Sequence, residues 1–263
     1  MPHHGEEPPL SGTRGAGTIF FSSCNLRCSY CQNYQISHSV RGRPASPDEL
    51  ADMMLHLQKL GCHNIEFVTG TSHVAGIVRG VGRALDRGLS LPLVYNCGGY
   101  ESAEVIECLH GIIDVYLPDF KYADTAVMRR LGAPPDYAER ALASLKIMVR
   151  QVGEGLSLRN GVATAGIIVR HLVLPGMVDN SLAVVRLLAR HVSKSIPLSL
   201  MAQYTPIPAV ADDTLLGRRV AKDEYECVVD EARDLGFEYL FVQQVDAVDR
   251  VPDFGKEAPF QWD

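Results

Sequence analysis

Three of the seven cysteines, Cys24, Cys28 and Cys31, fall within eight residues as a C-x3-C-x2-C array. Thiolates are soft donors, and spacings this short let one loop carry three of them to the corners of one small metal centre. Iron–sulfur and zinc are therefore the chemistries the array can do. Zinc asks for a fourth protein ligand. His38 could supply it in a closed Cys3His site, and the chain would then be a zinc-stabilised interaction protein without turnover. A [4Fe–4S] cluster on three thiolates instead leaves one iron open, where a substrate or cofactor can coordinate. The other four cysteines, Cys62, Cys97, Cys108 and Cys227, are scattered, and as free thiols they read as small buried hydrophobes.

Apolar runs at 18–21, 65–69, 93–96, 113–117, 167–174, 198–204 and 239–242 alternate with helical patterns, which is the signature of repeated βα units on a parallel sheet. Ser46-Pro47-Asp48-Glu49 supplies an N-cap, a proline at the first helical position and a capping-box glutamate, and Gly61 stops that helix. Val74, Ile77, Val78, Val81 and Leu85 mark one face of a second helix, and Tyr225, Val228, Val229, Ala232 and Leu235 one face of a third. No linker divides the chain. One domain is expected over 18–250, with an N-terminal segment at 1–17 and a tail at 251–263 that carries no chemistry.

In parallel α/β folds chemistry gathers beyond the carboxyl ends of the strands, so the residues just past each run are the candidates. The first run is followed by the cysteine array with Tyr30, the second by Thr69-Gly70-Thr71-Ser72-His73, and the third by Asn96-Cys97-Gly98-Gly99-Tyr100. Asp119 and Lys121 follow the fourth; Arg170 and His171 lie within the fifth, and Gln203 and Tyr204 end the sixth. Asp119 and Lys121, two apart on a strand, share a face and can neutralise one another, whereas His171 points away from Arg170 into the helix layer. His73 sits where a first-turn helix residue would.

Composition narrows the partners. With 25 Lys and Arg against 31 Asp and Glu, the net charge of −6 offers no cationic excess for gripping phosphate backbones. The first residues lack the charged and apolar blocks of a leader, and no apolar run is long enough to span a bilayer, so the expected location is the cytoplasm.

The array, together with His3-His4-Gly5-Glu6-Glu7-Pro8-Pro9, Gly17-Thr18-Ile19-Phe20-Phe21, Cys31-Gln32-Asn33-Tyr34, Tyr116-Leu117-Pro118-Asp119-Phe120-Lys121-Tyr122, Val169-Arg170-His171-Leu172-Val173-Leu174-Pro175-Gly176 and Met201-Ala202-Gln203-Tyr204, resembles the radical S-adenosylmethionine (SAM) superfamily. Within it the likeness is to the PflX branch, whose members are commonly labelled pyruvate formate-lyase activating-enzyme-like. The resemblance implies a partial (β/α)6 TIM-like barrel with an additional C-terminal strand, and a [4Fe–4S] cluster on Cys24, Cys28 and Cys31. It also implies SAM on the open iron, flavodoxin or ferredoxin as electron donor, and a glycyl radical enzyme as the protein activated. A small metabolite or another macromolecule as hydrogen donor is the alternative. By matching position, Tyr30 stands near adenine, Thr69, Gly70 and Thr71 near the SAM amino group, and Asn96, Cys97 and Gly98 along its methionine side. Asp119, Lys121 and Arg170 match catalytic positions of activating enzymes, and Tyr204 stands where those enzymes carry a histidine. Gly98 and Gly70 suit a close backbone approach to SAM, so Gly98→Val is expected to weaken SAM while sparing the cluster.

Overall fold

The apolar runs become strands where their residues are covered by helices outside and by packed side chains inside, and the run at 239–242 adds an edge strand with Tyr239 and Val242 exposed. The computed structural model describes residues 1–246, 248, 251–256, 259 and 260. In chain order the elements are β1 (Pro2–His3), α1 (Pro8–Ser11), β2 (Ala16–Phe20), α2 (Tyr34–Ser37), α3 (Pro47–Lys59), β3 (Ile65–Val68), α4 (Val74–Asp86), β4 (Leu93–Cys97), α5 (Ala103–Cys108) and β5 (Val115–Pro118). There follow α6 (Thr125–Arg130), α7 (Tyr137–Val152), β6 (Leu156–Arg159), β7 (Val162–Ile167), β8 (Val169–Leu172), α8 (Val178–His191), β9 (Leu198–Met201), α9 (Lys222–Asp234) and β10 (Leu240–Val242).

Strands β2, β3, β4 and β5 pair in parallel, as do β8, β9 and β10. A bridge between Asp119 and Arg170 joins the two groups, reinforced by Phe120 N donating to Arg170 O at 2.7 Å. Six βα units and the added strand β10 thus make the expected partial barrel. The run at 167–174, read as one long strand, is broken at Ile168: β7 before it pairs with β5 and with the antiparallel β6, and β8 after it pairs with β9. The hairpin of β6 and β7 carried no clear alternation and was not expected.

Ser46 caps α3 and accepts from Glu49 N in a complete capping box, and Gly61 ends the segment at φ +86°, where only glycine is unstrained. On α4 the buried face is Ile77, Gly80, Val81 and Ala84, while Leu85 points to solvent. Tyr225, Val228, Val229 and Ala232 bury as expected.

The main core lies between sheet and helices, and a smaller one, made by Leu10, Val94, Val115, Leu117, Ala163 and Ile168, fills the barrel. Leu10 belongs to α1, so the N-terminal segment is a plug rather than a loose leader into β2. The tail also corrects its reading. Phe254 and Phe260 pack on Phe20 with ring centroids 5.5 and 5.0 Å away, and Pro252 and Phe260 line the cavity described below. Residues 257, 258 and 261–263 of the expected tail lie outside the described residues. Among the described residues no helix is long and apolar enough to cross a membrane.

Candidate active site

The loop after β2 is held in shape by its own bonds. Ser23 N donates to Ile36 O at 2.7 Å, Cys31 N to Cys28 O at 3.1 Å and Tyr34 N to Cys31 O at 2.9 Å. Ser23 and Arg27 take positive φ of 75° and 50°, the left-handed bends that a reversing loop needs. The result presents Cys24, Cys28 and Cys31, all free and half-buried, to one end of a cavity of about 810 Å³ above the strand ends. Burial pushes the Cys28 and Cys31 thiols up, and Lys121 works against that shift at both. A bound metal would offset the desolvation, since coordination replaces the proton.

The donor set discriminates between the two metal chemistries. The His38 ring is turned toward the loop backbone, its Nε2 3.0 Å from Cys28 O. Among the described residues no three His, Cys, Asp or Glu side chains converge on a single-ion site. Three soft thiols spread along one loop fit a cluster, whose corners stand apart, rather than one zinc ion.

Around the thiols the expected SAM residues divide. Tyr30, Thr69, Asn96, Cys97 and Gly98 line the cavity. Tyr30 is anchored by the Tyr122 hydroxyl at 2.8 Å, which also lies 3.5 Å from Cys28 Sγ. Thr69 holds a positive φ of 60°, with its N–H donating to Asn96 O at 2.9 Å. Gly70 and Thr71 are not in the lining. A Cβ on Gly70 would strike Ile77 Cδ1 at 2.7 Å, so that glycine serves helix packing. Thr71 donates instead to buried Glu101 at 2.7 Å, beside a separate cavity of about 300 Å³, and burial pushes Glu101 up to about 7.

Gly98 also lies against the cysteine loop. A Cβ there would lie 2.7 Å from Leu26 Cδ1, inside the cysteine loop, so a larger residue disturbs the cluster loop first. Cys97 is buried as expected, and so is Cys62, whereas Cys108 and Cys227 are exposed.

Asp119 and Lys121 form an ion pair on the cavity wall. Arg170 faces the same cavity, but its guanidinium is taken by the N-terminal segment: Nε donates to Glu7 Oε1 at 2.9 Å, and the head group pairs with both Glu6 and Glu7. Burial opposes the Glu7 charge, yet Arg170 and Ser199 hold its carboxyl below the usual range. Nearby Glu66, on β3, is fully buried, receives Asn96 Nδ2 at 2.7 Å on one oxygen and has no partner on the other. Burial, then the charge of Glu6, pushes it up to about 8. Glu66 was not among the sequence candidates, and Glu6 and Glu7 entered only as part of a motif with no role assigned to them. The available signal was a glutamate inside the apolar run Ile65-Glu66-Phe67-Val68.

Tyr204 is not brought to the cavity. Its hydroxyl donates to Leu216 O at 2.7 Å, and its ring packs edge-on against Tyr30 with centroids 6.2 Å apart, so it buttresses Tyr30 from behind. His171 faces α8 as expected, with Nδ1 2.7 Å from Phe120 O and Nε2 2.8 Å from Ser181 Oγ, and burial lowers it to about 4. His73 stacks on Phe21 and reaches Ser22 O at 2.9 Å, bracing the strand that leads into the cysteine loop.

A family model, the radical SAM superfamily, matches residues 18–188, well over half of the 263 residues and including the whole array. The chain belongs to the radical SAM superfamily. Members of this superfamily bind a [4Fe–4S] cluster and SAM, and those are its cofactors. An uncharacterised protein of Methanocaldococcus jannaschii is 26% identical over 249 residues, covering 91% of this chain and 67% of the relative. Among solved structures, Streptococcus suis SuiB bound to SAM superposes with a TM-score of 0.58 at 9% identity, over 86% of this chain and 50% of SuiB, and SuiB has also been solved with its precursor peptide SuiA. Escherichia coli coproporphyrinogen III oxidase (HemN) gives 0.55 at 10% identity, over 82% of this chain and 51% of HemN. The hydrogenase maturase HydG of Carboxydothermus hydrogenoformans gives 0.56 at 12%, over 93% and 61%. The chain spans about half the length of SuiB and HemN, and with such low identity these likenesses are likenesses of fold.

Proposed function

We propose that this protein is a cytoplasmic activating enzyme of the PflX type, which uses a [4Fe–4S] cluster on Cys24, Cys28 and Cys31 to direct hydrogen abstraction at a backbone glycine of a glycyl radical enzyme. The observation that carries the reading is the meeting of three free thiols of one loop with Asp119, Lys121, Asn96 and Gly98 around a single cavity. The cluster on Cys24, Cys28 and Cys31, with SAM on its open iron and one electron from flavodoxin or ferredoxin, would supply reductive SAM cleavage and the hydrogen-abstracting power. The protein's part is positioning and exclusion of water. Tyr30, fixed by Tyr122 and Tyr204, supplies a rigid aromatic wall for adenine. Lys121 and Asp119 offer both signs of charge beside the cysteine loop, suited to the carboxylate and ammonium of an amino acid end. Thr69, Asn96 and the backbone at Gly98 complete the SAM wall. Residues 18–250 form the catalytic core. A peptide-sized target is in keeping with a structural neighbour that was crystallised with its precursor peptide.

Anaerobic reconstitution with iron and sulfide tests the first half: about four irons per chain, visible absorption that bleaches on reduction and 5′-deoxyadenosine from SAM are expected, all lost in Cys28→Ala. A colourless zinc protein would overturn it. The second half requires a glycyl radical doublet in a candidate partner by electron paramagnetic resonance, with deuterium passing from its labelled glycine into 5′-deoxyadenosine. If every glycyl radical enzyme of the source organism stays silent while 5′-deoxyadenosine still forms, the donor is a small metabolite or another macromolecule.

A further inference from the structure

Charge is unevenly placed along this acidic chain. Between Glu7 and Asp48 there is no acidic residue, while Arg14, Arg27, Arg41 and Arg43 all fall there. Arg14 lies beside Gly61, whereas Arg27 belongs to the cysteine loop and reaches the carbonyl of His38, and Arg41 and Arg43 follow His38 closely in the chain. Arg43 is engaged by Glu49. Arg27 and Arg41 are exposed and meet no carboxylate in any described ion pair, and Arg27 reaches only the carbonyl of His38, at 3.4 Å. Between them Val40 is 86% exposed, the barest large apolar side chain among the described residues. An uncovered apolar tip flanked by unpaired cations is the anatomy of a small, transient protein interface.

This surface is also linked to the thiols through its two preceding residues. The exposed run begins at Ser39, immediately after Ser37, whose Oγ donates to Cys31 Sγ at 3.2 Å, and His38, whose ring lies 3.0 Å from Cys28 O. A partner seated on Arg27, Val40 and Arg41 would stand one short covalent step from contacts with two of the three cysteines.

We infer that Arg27, Val40 and Arg41 form the docking surface for an acidic, low-potential one-electron carrier protein. The inference rests on the cluster reading above and adds where the electron enters. The transfer makes and breaks no bond: the carrier is oxidised by one electron, the cluster is reduced by one, and no proton need move. Two unpaired arginines are too few to grip a nucleic acid, but they suffice to steer an acidic protein, with a rate that falls as salt screens them.

Reduction of the reconstituted protein without SAM, followed by stopped-flow bleaching, tests this with reduced flavodoxin as the carrier and dithionite as a small reductant that needs no docking. At about 50 mM salt, Arg41→Glu is expected to slow reduction by flavodoxin about tenfold, and raising salt to about 300 mM should narrow the gap between the two proteins. Arg41→Lys should retain most of the rate, and calorimetry should show weaker flavodoxin binding to Arg41→Glu. Reduction by dithionite should be unchanged in all. Equal flavodoxin rates in wild type and Arg41→Glu at low salt would overturn the docking surface, as would a dithionite rate slowed to the same degree. Failure of the cluster reading would look different: dithionite would then bleach nothing in the wild type.

Discussion

Glu66 shows how one residue's environment is set by distant chain. Its folded-state value of about 8, against an ordinary 4.5, means that the folded protein keeps a proton which the unfolded chain releases between those pH values. The native state therefore binds more protons there, and stability falls as pH rises from 4.5 toward 8, by up to about 1.4 kcal/mol per pH unit. Glu66→Gln keeps the acceptor for Asn96 and removes the titration. In urea unfolding the variant should match wild type near pH 5 and exceed it by about 3–4 kcal/mol at pH 8.5. Parallel stability profiles across this range would show that Glu66 is not protonated in the fold. The residue was visible in the sequence, yet nothing local says that Glu6, Glu7 and Arg170 arrive beside it.

At the scale of elements, the decisive contact is between the end of β4 and the cysteine loop. Gly98 lets Leu26 lie against the backbone, and a side chain there would have to displace a leucine that is itself buried. Gly98→Val should therefore lower iron retained after reconstitution, measured per chain, before any effect on SAM is read. Adding Leu26→Ala should restore much of the iron by clearing the collision. Full iron in the single variant would return Gly98 to a direct role at SAM. The capping box at Ser46 behaved as its sequence promised because capping is a matter of four neighbouring residues. The break at Ile168 is of the other kind: no glycine or proline marks it within 167–174, and only pairing with β5 on one side and β9 on the other divides the run.

Across the whole molecule, the start of the chain is locked to the barrel wall 163 residues away by the buried pairs of Glu6 and Glu7 with Arg170. Arg170→Met should cost about 3–5 kcal/mol, because it leaves two carboxylates buried without a counter-charge. The combination Glu6→Gln, Glu7→Gln, Arg170→Met should recover most of that loss, which thermal unfolding of wild type, Arg170→Met and the triple variant would record. If the triple variant is no more stable than Arg170→Met, the guanidinium acts through packing rather than charge. The same lock explains why Arg170, picked out as catalytic by position, meets protein carboxylates first.

The cysteine array, the βα alternation, the capped helix and the inward or outward sense of Arg170 and His171 were all legible in the sequence, because spacing and periodicity act over a few residues. Which candidates share a cavity was not. Thr69 faces it and Thr71 does not; Tyr204 backs Tyr30 instead of reaching the mouth; and Leu10 fills a barrel whose strands come from across the chain. Those outcomes depend on strand register and on long-range burial of charge, which no local pattern encodes and which only the assembled partial barrel, drawing residues 6 and 170 together, decides.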